Sequence, residues 1–210
     1  CSGCGHRGVF YVLHKLGATV TGDIGCYTLG AFPPLNAMDS TICMGASIGN
    51  AAGMKKAGLK GRICAVLGDS TFFHSGMTGI LSALYNGTPV TTIVLDNRIT
   101  GMTGHQDNPG SGKTLDGTPA PVVEIDAIAR ACGYSRVVTV SADDLVALEK
   151  TLAEAMCKAC GACFKMGCPA MTRGKEIRQG FFQMKIDASL CAGCKQCSQV
   201  CKFGAIKRVR

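Results

Sequence analysis

The sequence has 210 residues, enough for one ordinary domain followed by a small one. Apolar residues make up 47% of it and charged residues 17%, a balance that favours a packed core over disorder. No stretch approaches eighteen consecutive apolar residues and no signal peptide is visible, so we expect a cytoplasmic protein without a membrane span. Because the chain begins at a cysteine inside a motif, we also expect it to be part of a longer protein.

The net charge of +8 falls entirely in the last sixty residues. Residues 1–150 carry eleven Lys or Arg and eleven Asp or Glu, whereas residues 151–210 carry eleven and three. A basic tail is typical of proteins that bind nucleic acid or an anionic membrane. The cysteines of this tail offer another explanation, because two [4Fe–4S] clusters with thiolate ligands would carry about −2 each. We therefore expect neither nucleic acid nor membrane as a partner.

Strand and helix patterns alternate along the first 156 residues. Buried strands are predicted at 18–23, 63–69 and 90–97, with a later one at 135–140. Helical patterns cover Gly8–Leu16, Ser47–Ala57, Ser75–Asn86, Ile125–Cys132 and Ala142–Met156. This alternation predicts an α/β fold, a parallel sheet flanked by helices, whose ligands bind at the carboxyl ends of the strands. Asp23, Asp69 and Asn97 fall at that edge.

The helix predicted from Ser47 has small residues at every fourth position: Gly45, Gly49, Gly53 and Ala57. This spacing places them on one face of the helix. A ligand or another backbone can approach such a face closely, and tight helix packing is an equally good explanation.

From residue 157 the alternation gives way to two cysteine runs, so we predict domains at 1–156 and 157–210. The runs contain Cys157, Cys160, Cys163 and Cys168, then Cys191, Cys194, Cys197 and Cys201. Their spacing resembles that of bacterial ferredoxins with two [4Fe–4S] clusters, in which the last cysteine of each run binds the other cluster. That resemblance pairs Cys201 with the first run and Cys168 with the second. Zinc is the alternative, but zinc sites prefer cysteine pairs, often with histidine, and this tail has no histidine.

Asp69 and Asn97 follow two consecutive predicted strands, in the stretches "GDS" and "DN". In one βαβ unit both side chains point into the same crevice. A carboxylate, an amide oxygen and nearby backbone carbonyls suit Mg2+ bridging a diphosphate. Simple turn capping by both residues is the alternative. The pattern resembles the thiamine diphosphate fold, whose motif runs from Gly-Asp-Gly to Asn, with Ser70 replacing the last glycine.

Four further stretches extend this resemblance: "CSGCGH" (1–6), "TGDIGCYTLG" (21–30), "CMGASIGNAAG" (43–53) and "NRITGMTGHQ" (97–106). Together they resemble the 2-oxoacid:ferredoxin oxidoreductases, in particular the branch that acts on indolepyruvate. The resemblance implies oxidative decarboxylation of an aryl 2-oxoacid to an acyl-CoA, with electrons passing through [4Fe–4S] clusters to an external ferredoxin. It also implies a pyrimidine-binding domain and a smaller second subunit, neither present here, so this chain alone should turn over little. A non-catalytic iron–sulfur electron-transfer module is the main alternative, and the cysteines disfavour a decarboxylase without electron acceptors.

The resemblance assigns cofactor roles to individual residues. It implies Mg2+ ligands in the side chains of Asp69 and Asn97 and in the carbonyl of Ile99. Residues bordering the diphosphate, where helix N-terminal amides add partial positive charge, are Gly45, Ser47 and Gly68. Lesser cofactor contacts are Ser70, Thr100 and Thr103.

Two histidines and three further cysteines complete the predicted site. His6 and His74 are candidate catalytic residues that meet substrate or cofactor, with a structural role as the alternative. Cys1, Cys4 and Cys26 match three ligands of a third, proximal [4Fe–4S] cluster. In the family the fourth ligand follows a strand that is missing here, because Met156 passes straight to Cys157. The remaining cysteines, Cys43, Cys64 and Cys132, are predicted to be buried as small apolar residues.

Overall fold

A computed structural model of the chain describes residues 1–156, 171–178 and 181–186. The chain divides into two compact units, Cys1–Leu145 and Val146–Arg210. The boundary predicted near residue 156 stays a prediction. The eight predicted cluster ligands lie outside the described residues: Cys157, Cys160, Cys163, Cys168, Cys191, Cys194, Cys197 and Cys201.

The first unit is built on a four-stranded sheet in which all neighbouring strands are parallel. In chain order the strands are β1 (Thr19–Gly22), β2 (Ser40–Thr41), β3 (Ile63–Gly68) and β4 (Thr91–Leu95). Their spatial order is β2-β1-β3-β4, with Gly22 opposite Val66 and Gly68 opposite Leu95. The carboxyl ends of β1, β3 and β4 therefore meet at one edge, as the sequence predicted.

Helices join and flank these strands. They are α1 (His6–Leu16), a 3-10 helix (Cys26–Ala31), α2 (Ala46–Lys56), α3 (Asp69–Thr71), a π-helical segment (Phe72–Gly76), α4 (Met77–Tyr85) and α5 (Ile125–Ala131). A further helix, α6 (Leu145–Ala155), starts at the last residue of the first unit. The predicted helices are confirmed in position; the third begins six residues early because Asp69 itself starts a helical turn.

The core of the first unit lies where α2 and α4 pack on the sheet. Ile48, Leu67, Phe72 and Ile80 are at most 1% exposed and belong to one cluster. Burial of each such side chain contributes roughly 1.5–3 kcal/mol relative to leaving it in water. Because Ile48 is on α2 and Phe72 follows Asp69, the same packing that stabilises the fold fixes both segments at the carboxyl edge.

The strand predicted at 135–140 is wrong, since those residues have no regular secondary structure. Val137 contributes its carbonyl to the Arg130 side chain, and Val138 is 52% exposed. A strand needs both a neighbouring strand and a buried face, and this segment has neither among the described residues. Conversely, the two-residue strand β2 was not predicted, because its length gives no periodic pattern.

In the second unit, β5 (Met171–Arg178) and β6 (Phe181–Ile186) form an antiparallel pair. Met171 pairs with Ile186 and Arg178 with Phe181. In neither unit do the described residues include a helix with both the length and the apolar character needed to cross a membrane.

Candidate cofactor and metal site

Asp69 stands at the centre of the carboxyl edge. It follows the end of β3 and is only 3% exposed. Its Oδ1 accepts a hydrogen bond from the backbone N–H of Ser70 at 2.6 Å, and its Oδ2 accepts one from the N–H of Ile99 at 3.1 Å. The second bond links the end of β3 to the segment that follows β4. The two strand ends are therefore held together by the carboxylate.

Asn97 shares one of these donors. The N–H of Ile99 also points to Asn97 Oδ1, at 3.3 Å, so a carboxylate oxygen and an amide oxygen approach the same atom. Alongside them the Thr100 hydroxyl donates to Ser70 Oγ at 3.0 Å. The result is a cluster of oxygen atoms from both strand ends.

This cluster fits a hard divalent cation by the chemistry of its donors. Mg2+ prefers carboxylate, amide and carbonyl oxygens, and near-octahedral sites complete their shell with phosphate and water. No Lys or Arg among the described residues forms an ion pair with Asp69. No three His, Cys, Asp or Glu side chains are grouped for metal binding in the described part of the chain either. A magnesium ion here would therefore depend on Asn97, a backbone carbonyl such as that of Ile99, and a diphosphate.

Gly45 brings the turn before α2 against the helical segment that starts at Asp69. Its φ of +87° lies in the left-handed region, which favours glycine. A Cβ at this position would also collide with Ser75 Oγ. The predicted close approach thus occurs at Gly45, whereas a Cβ at Gly49 or Gly53 would meet no described atom.

A second buried carboxylate, Asp23, holds the start of α2. Asp23 and Ser47 are both 0% exposed. The N–H of Ser47 donates to Asp23 Oδ1 at 2.8 Å, and its hydroxyl donates to Asp23 Oδ2 at 2.9 Å. Burial raises the pKa of Asp23, and hydrogen bonds from Ser47 and from the backbone of Gly45 and Ala46 oppose that shift. Both donors of Ser47, a predicted diphosphate neighbour, are thus engaged within the chain.

Tyr27 was not predicted from the sequence, yet the charges of both carboxylates act on its buried hydroxyl. It is 5% exposed, and its hydroxyl is within hydrogen-bond distance of the Ile24 carbonyl at 3.2 Å and of Thr71 Oγ1 at 3.3 Å. A Cβ at Gly68 would lie 2.9 Å from its ring. Burial raises the pKa of Tyr27, and the charges of Asp23 and Asp69 contribute in the same direction. Gly25 and Gly68, where a Cβ would meet its ring, were the available sequence signal.

The two histidines differ in their surroundings. His6 begins α1, and its ring lies edge-on to Tyr27 with centroids 6.4 Å apart. Its Nδ1 is buried without a hydrogen-bond partner among the described residues. Burial lowers the pKa of His6, while the charge of Asp69 acts in the opposite direction. His74 is exposed on the π-helical segment.

Thr103 lies on the exposed loop after β4. Its hydroxyl donates to Gln106 Oε1 at 2.7 Å, and Gln106 Nε2 donates back to the Thr103 carbonyl at 2.7 Å. In this structure Thr103 therefore stabilises its own turn. Its predicted contact with the cofactor stays a prediction.

The N-terminal cysteines are accessible but are not grouped as metal ligands within the described residues. Cys1 and Cys26 are exposed and Cys4 is half-buried. The expectation of burial is confirmed for Cys64. Its burial raises the pKa of the thiol to about 12. It is wrong for Cys43, which is exposed because it lies in the turn between β2 and α2, and Cys132 is half-buried.

Comparison with known families places two domains on this chain. The family described as thiamine pyrophosphate enzyme, C-terminal TPP binding domain, matches residues 23–164. Thiamine pyrophosphate is another name for thiamine diphosphate. The 4Fe-4S binding domain family matches residues 184–207. The order of the two matches is the one that the motifs predicted.

Curated relatives match over the whole chain. The indolepyruvate oxidoreductase subunit IorA of Pyrococcus horikoshii is 34% identical over 265 residues, covering 100% of this chain and 40% of that protein. The subunit of the same name from Archaeoglobus fulgidus is 34% identical, covering 99% of this chain and 39% of that protein. The chain thus spans about two fifths of the relatives' length. The matched region in Pyrococcus exceeds the 210 residues here, so it includes residues without a counterpart in this chain.

A solved structure confirms the fold. The 2-oxoglutarate:ferredoxin oxidoreductase of Magnetococcus marinus superposes with a TM-score of 0.66 at 20% identity, covering 74% of this chain and 58% of that chain. The two family matches and this superposition confirm the predicted parallel α/β domain followed by a ferredoxin-like domain. The curated relatives confirm the resemblance to indolepyruvate oxidoreductases. The chain belongs to the family of thiamine pyrophosphate enzymes through their C-terminal TPP binding domain.

Proposed function

We propose that this chain supplies the diphosphate-binding site and the electron outlet of an indolepyruvate:ferredoxin oxidoreductase. The reaction is oxidative decarboxylation of an aryl 2-oxoacid to an acyl-CoA, with two electrons leaving through [4Fe–4S] clusters to an external ferredoxin. The observation that carries the proposal is the approach of Asp69 and Asn97 to the one N–H of Ile99, at the edge where a magnesium diphosphate would bind. The names of the curated relatives support the choice of substrate.

The residues of this chain bind and orient the cofactor. Asp69, Asn97 and the carbonyl of Ile99 would hold Mg2+, which would neutralise the charge of the diphosphate. The hydrogen bond between Thr100 and Ser70 keeps the two strand ends at a fixed separation. Gly45 and Gly68 would border the diphosphate through their backbone, and their lack of a side chain makes room for Ser75 and for the Tyr27 ring. Bound thiamine diphosphate supplies a carbon nucleophile for the keto carbon and accepts the electrons left when carbon dioxide departs.

His6 is the candidate for contact with the reacting groups. Burial favours its neutral imidazole, and the unpartnered Nδ1 has one hydrogen bond to offer or accept. Which of the two it does depends on the tautomer. His74, exposed on the π-helical segment, is the second candidate for contact with substrate.

Clusters bound by cysteines would supply one-electron acceptors for the reaction. The eight cysteines between residues 157 and 201 would hold two clusters, on the ferredoxin pattern. Cys1, Cys4 and Cys26 would hold a third, proximal cluster, for which the resemblance offers no fourth cysteine in this sequence. The basic tail suits an acidic ferredoxin.

Other parts of the enzyme are required for turnover. The chain covers 40% of the Pyrococcus relative, which leaves room for the pyrimidine-binding domain. A smaller second subunit, coenzyme A and the 2-oxoacid complete the set of partners. We expect this chain alone to bind clusters but to show little or no turnover.

The test is substrate-dependent reduction of ferredoxin by the complete enzyme under anaerobic conditions. Indolepyruvate with coenzyme A should reduce ferredoxin and yield an acyl-CoA, phenylpyruvate should also react, and pyruvate and 2-oxoglutarate should react poorly. A preference for 2-oxoglutarate would overturn the aryl specificity. Chemically reducible clusters together with no thiamine diphosphate binding would instead identify an electron-transfer module.

A further inference from the structure

The start of α2 is tied to β1 by a buried polar group of three residues: Thr21, Asp23 and Ser47. We call this group the buried clamp. All three side chains are 0% exposed. Asp23 accepts both donors of Ser47, and the Thr21 hydroxyl donates to the Ser47 carbonyl at 2.8 Å. The N–H, the hydroxyl and the carbonyl of Ser47 are therefore all bound by residues at the end of β1.

The buried clamp satisfies a carboxylate that burial would otherwise penalise heavily. The amides of Gly45, Ala46 and Ser47, at the N-terminus of α2, act on Asp23 together with the Ser47 hydroxyl. The partial positive charge of a helix N-terminus stabilises an anion placed there. Because Asp23 already takes this position, the charge of a diphosphate would have to be met by a cation held at Asp69 and Asn97.

Gly45 connects the buried clamp to the proposed metal site by packing. Gly45 lies two residues before Ser47 and packs so closely on Ser75 that no Cβ fits between them. Ser75 belongs to the π-helical segment that continues the turn begun at Asp69. A shift of Ser47 therefore shifts Gly45 against the segment that carries Asp69.

We propose that Asp23 is a positioning residue for the cofactor and that Ser47 supports the diphosphate-binding turn from behind, without contacting the diphosphate. This inference rests on the proposed function, because it assigns the parts played by two residues of that site. It revises the role expected for Ser47 from its motif. It also separates the two carboxylates: Asp69 binds the metal, and Asp23 fixes the turn that faces it.

The experiment measures thiamine diphosphate affinity in the presence of Mg2+, by calorimetry on the complete enzyme, for four proteins. Asp23→Ala leaves the helix amides without an acceptor and should weaken binding by roughly tenfold or more. Asp23→Asn keeps an acceptor for the Ser47 N–H and should stay within about threefold of the wild type. Ser47→Ala removes only the hydroxyl and should also stay within about threefold, because the N–H bond to Asp23 remains.

Thermal unfolding of each variant separates positioning from general stability. If Asp23→Ala lowers the melting temperature but binds the cofactor like the wild type, Asp23 is only structural and the proposal is overturned. If Ser47→Ala loses tenfold or more of the affinity but melts like the wild type, its hydroxyl contacts the diphosphate, which also overturns the proposal. The same loss with a lowered melting temperature would show that the hydroxyl acts through Asp23 and supports the turn. This second comparison remains decisive even when Asp23→Ala fails to fold. Failure of the wild-type enzyme itself to bind thiamine diphosphate would overturn the proposed function instead.

Discussion

Asp23 and Asp69 end neighbouring parallel strands, and both carboxylates are buried, yet their surroundings differ. Asp23 faces the start of α2, where Ser47 supplies a donor to each of its oxygens. Asp69 starts its own helical turn and faces the segment after β4, where Asn97 contributes an additional oxygen beside the shared Ile99 N–H. Each oxygen of both carboxylates thus accepts one hydrogen bond, but Asp69 shares its Ile99 donor with the amide oxygen of Asn97, and such a pair of oxygens favours a cation.

The difference shows that position at the carboxyl edge does not by itself determine the role of an aspartate. What determines it is the element opposite the strand end. A helix N-terminus opposite β1 offers N–H donors, which suit a structural carboxylate. The loop opposite β3 brings the Asn97 amide oxygen to the same N–H that donates to Asp69, and such a pair of oxygens suits a metal site.

The largest effect is expected when each carboxylate is replaced by its isosteric amide. Asp69→Asn should weaken Mg2+-dependent thiamine diphosphate binding by roughly 100-fold, because the proposed metal ligand loses its charge. Asp23→Asn is the matched control and should retain most of the affinity. Calorimetric titration of both variants with Mg2+ present checks this. Equal losses at the two positions would contradict the division of roles.

The turn before α2 gives the next effect, on stability. Gly45→Ala forces a side chain into left-handed backbone and against Ser75, so unfolding free energy should fall by about 1–3 kcal/mol. Gly49→Ala on the same helix meets no described atom and should raise it by about 0.5–1 kcal/mol. Urea unfolding of the two variants is the measurement. Effects of the same sign would show that the turn at Gly45 is not constrained as described.

Asn97 should matter less than Asp69, since its contribution is a neutral oxygen. Asn97→Ala is expected to weaken Mg2+-dependent cofactor binding by roughly tenfold. Its neighbour Asp96, which accepts a hydrogen bond from the Arg98 N–H at 3.1 Å, is the control for damage to the turn. Asp96→Ala should leave affinity within about threefold, as one exposed turn bond is lost. A greater loss for Asp96→Ala than for Asn97→Ala would argue against Asn97 as a ligand.

The smallest effect concerns pH. Burial raises the pKa of Asp23, so the folded state holds its proton to higher pH than the unfolded chain does. The stability that this group contributes is present below the unfolded value of about 3.9 and is lost as pH rises through the folded pKa. The difference in melting temperature between the wild type and Asp23→Asn (wild type minus variant) should therefore decline as pH rises through that acidic window. A difference that stays flat or rises would show that the pKa is not raised.

The sequence was informative where strand periodicity alone placed a residue. Asp69 and Asn97 were predicted at one edge because consecutive parallel strands end on the same side of a sheet. The pairing of Asp23 with Ser47 could not be predicted, because it depends on how α2 docks beside β1. Tyr27 was missed for the same reason, since its contacts at Gly68 and Thr71 are more than forty residues away.

Local pattern also misled in two places. The valines of 135–140 look like a strand, but the segment has no strand partner among the described residues and exposes Val138. Cys43 looks like a buried apolar residue, but the strand beside it ends at Thr41 and leaves it in a turn. In both cases the tertiary neighbours, which the local sequence does not specify, decided the outcome.

The most direct test of the account is anaerobic purification of the complete enzyme, with iron, sulfide and thiamine diphosphate measured on one sample. The account predicts bound thiamine diphosphate that is lost when Mg2+ is chelated. It also predicts about eight iron and eight sulfide per chain from the two ferredoxin-type clusters, and about twelve of each if the proximal cluster forms. Zinc in place of iron, or clusters without thiamine diphosphate, would contradict it.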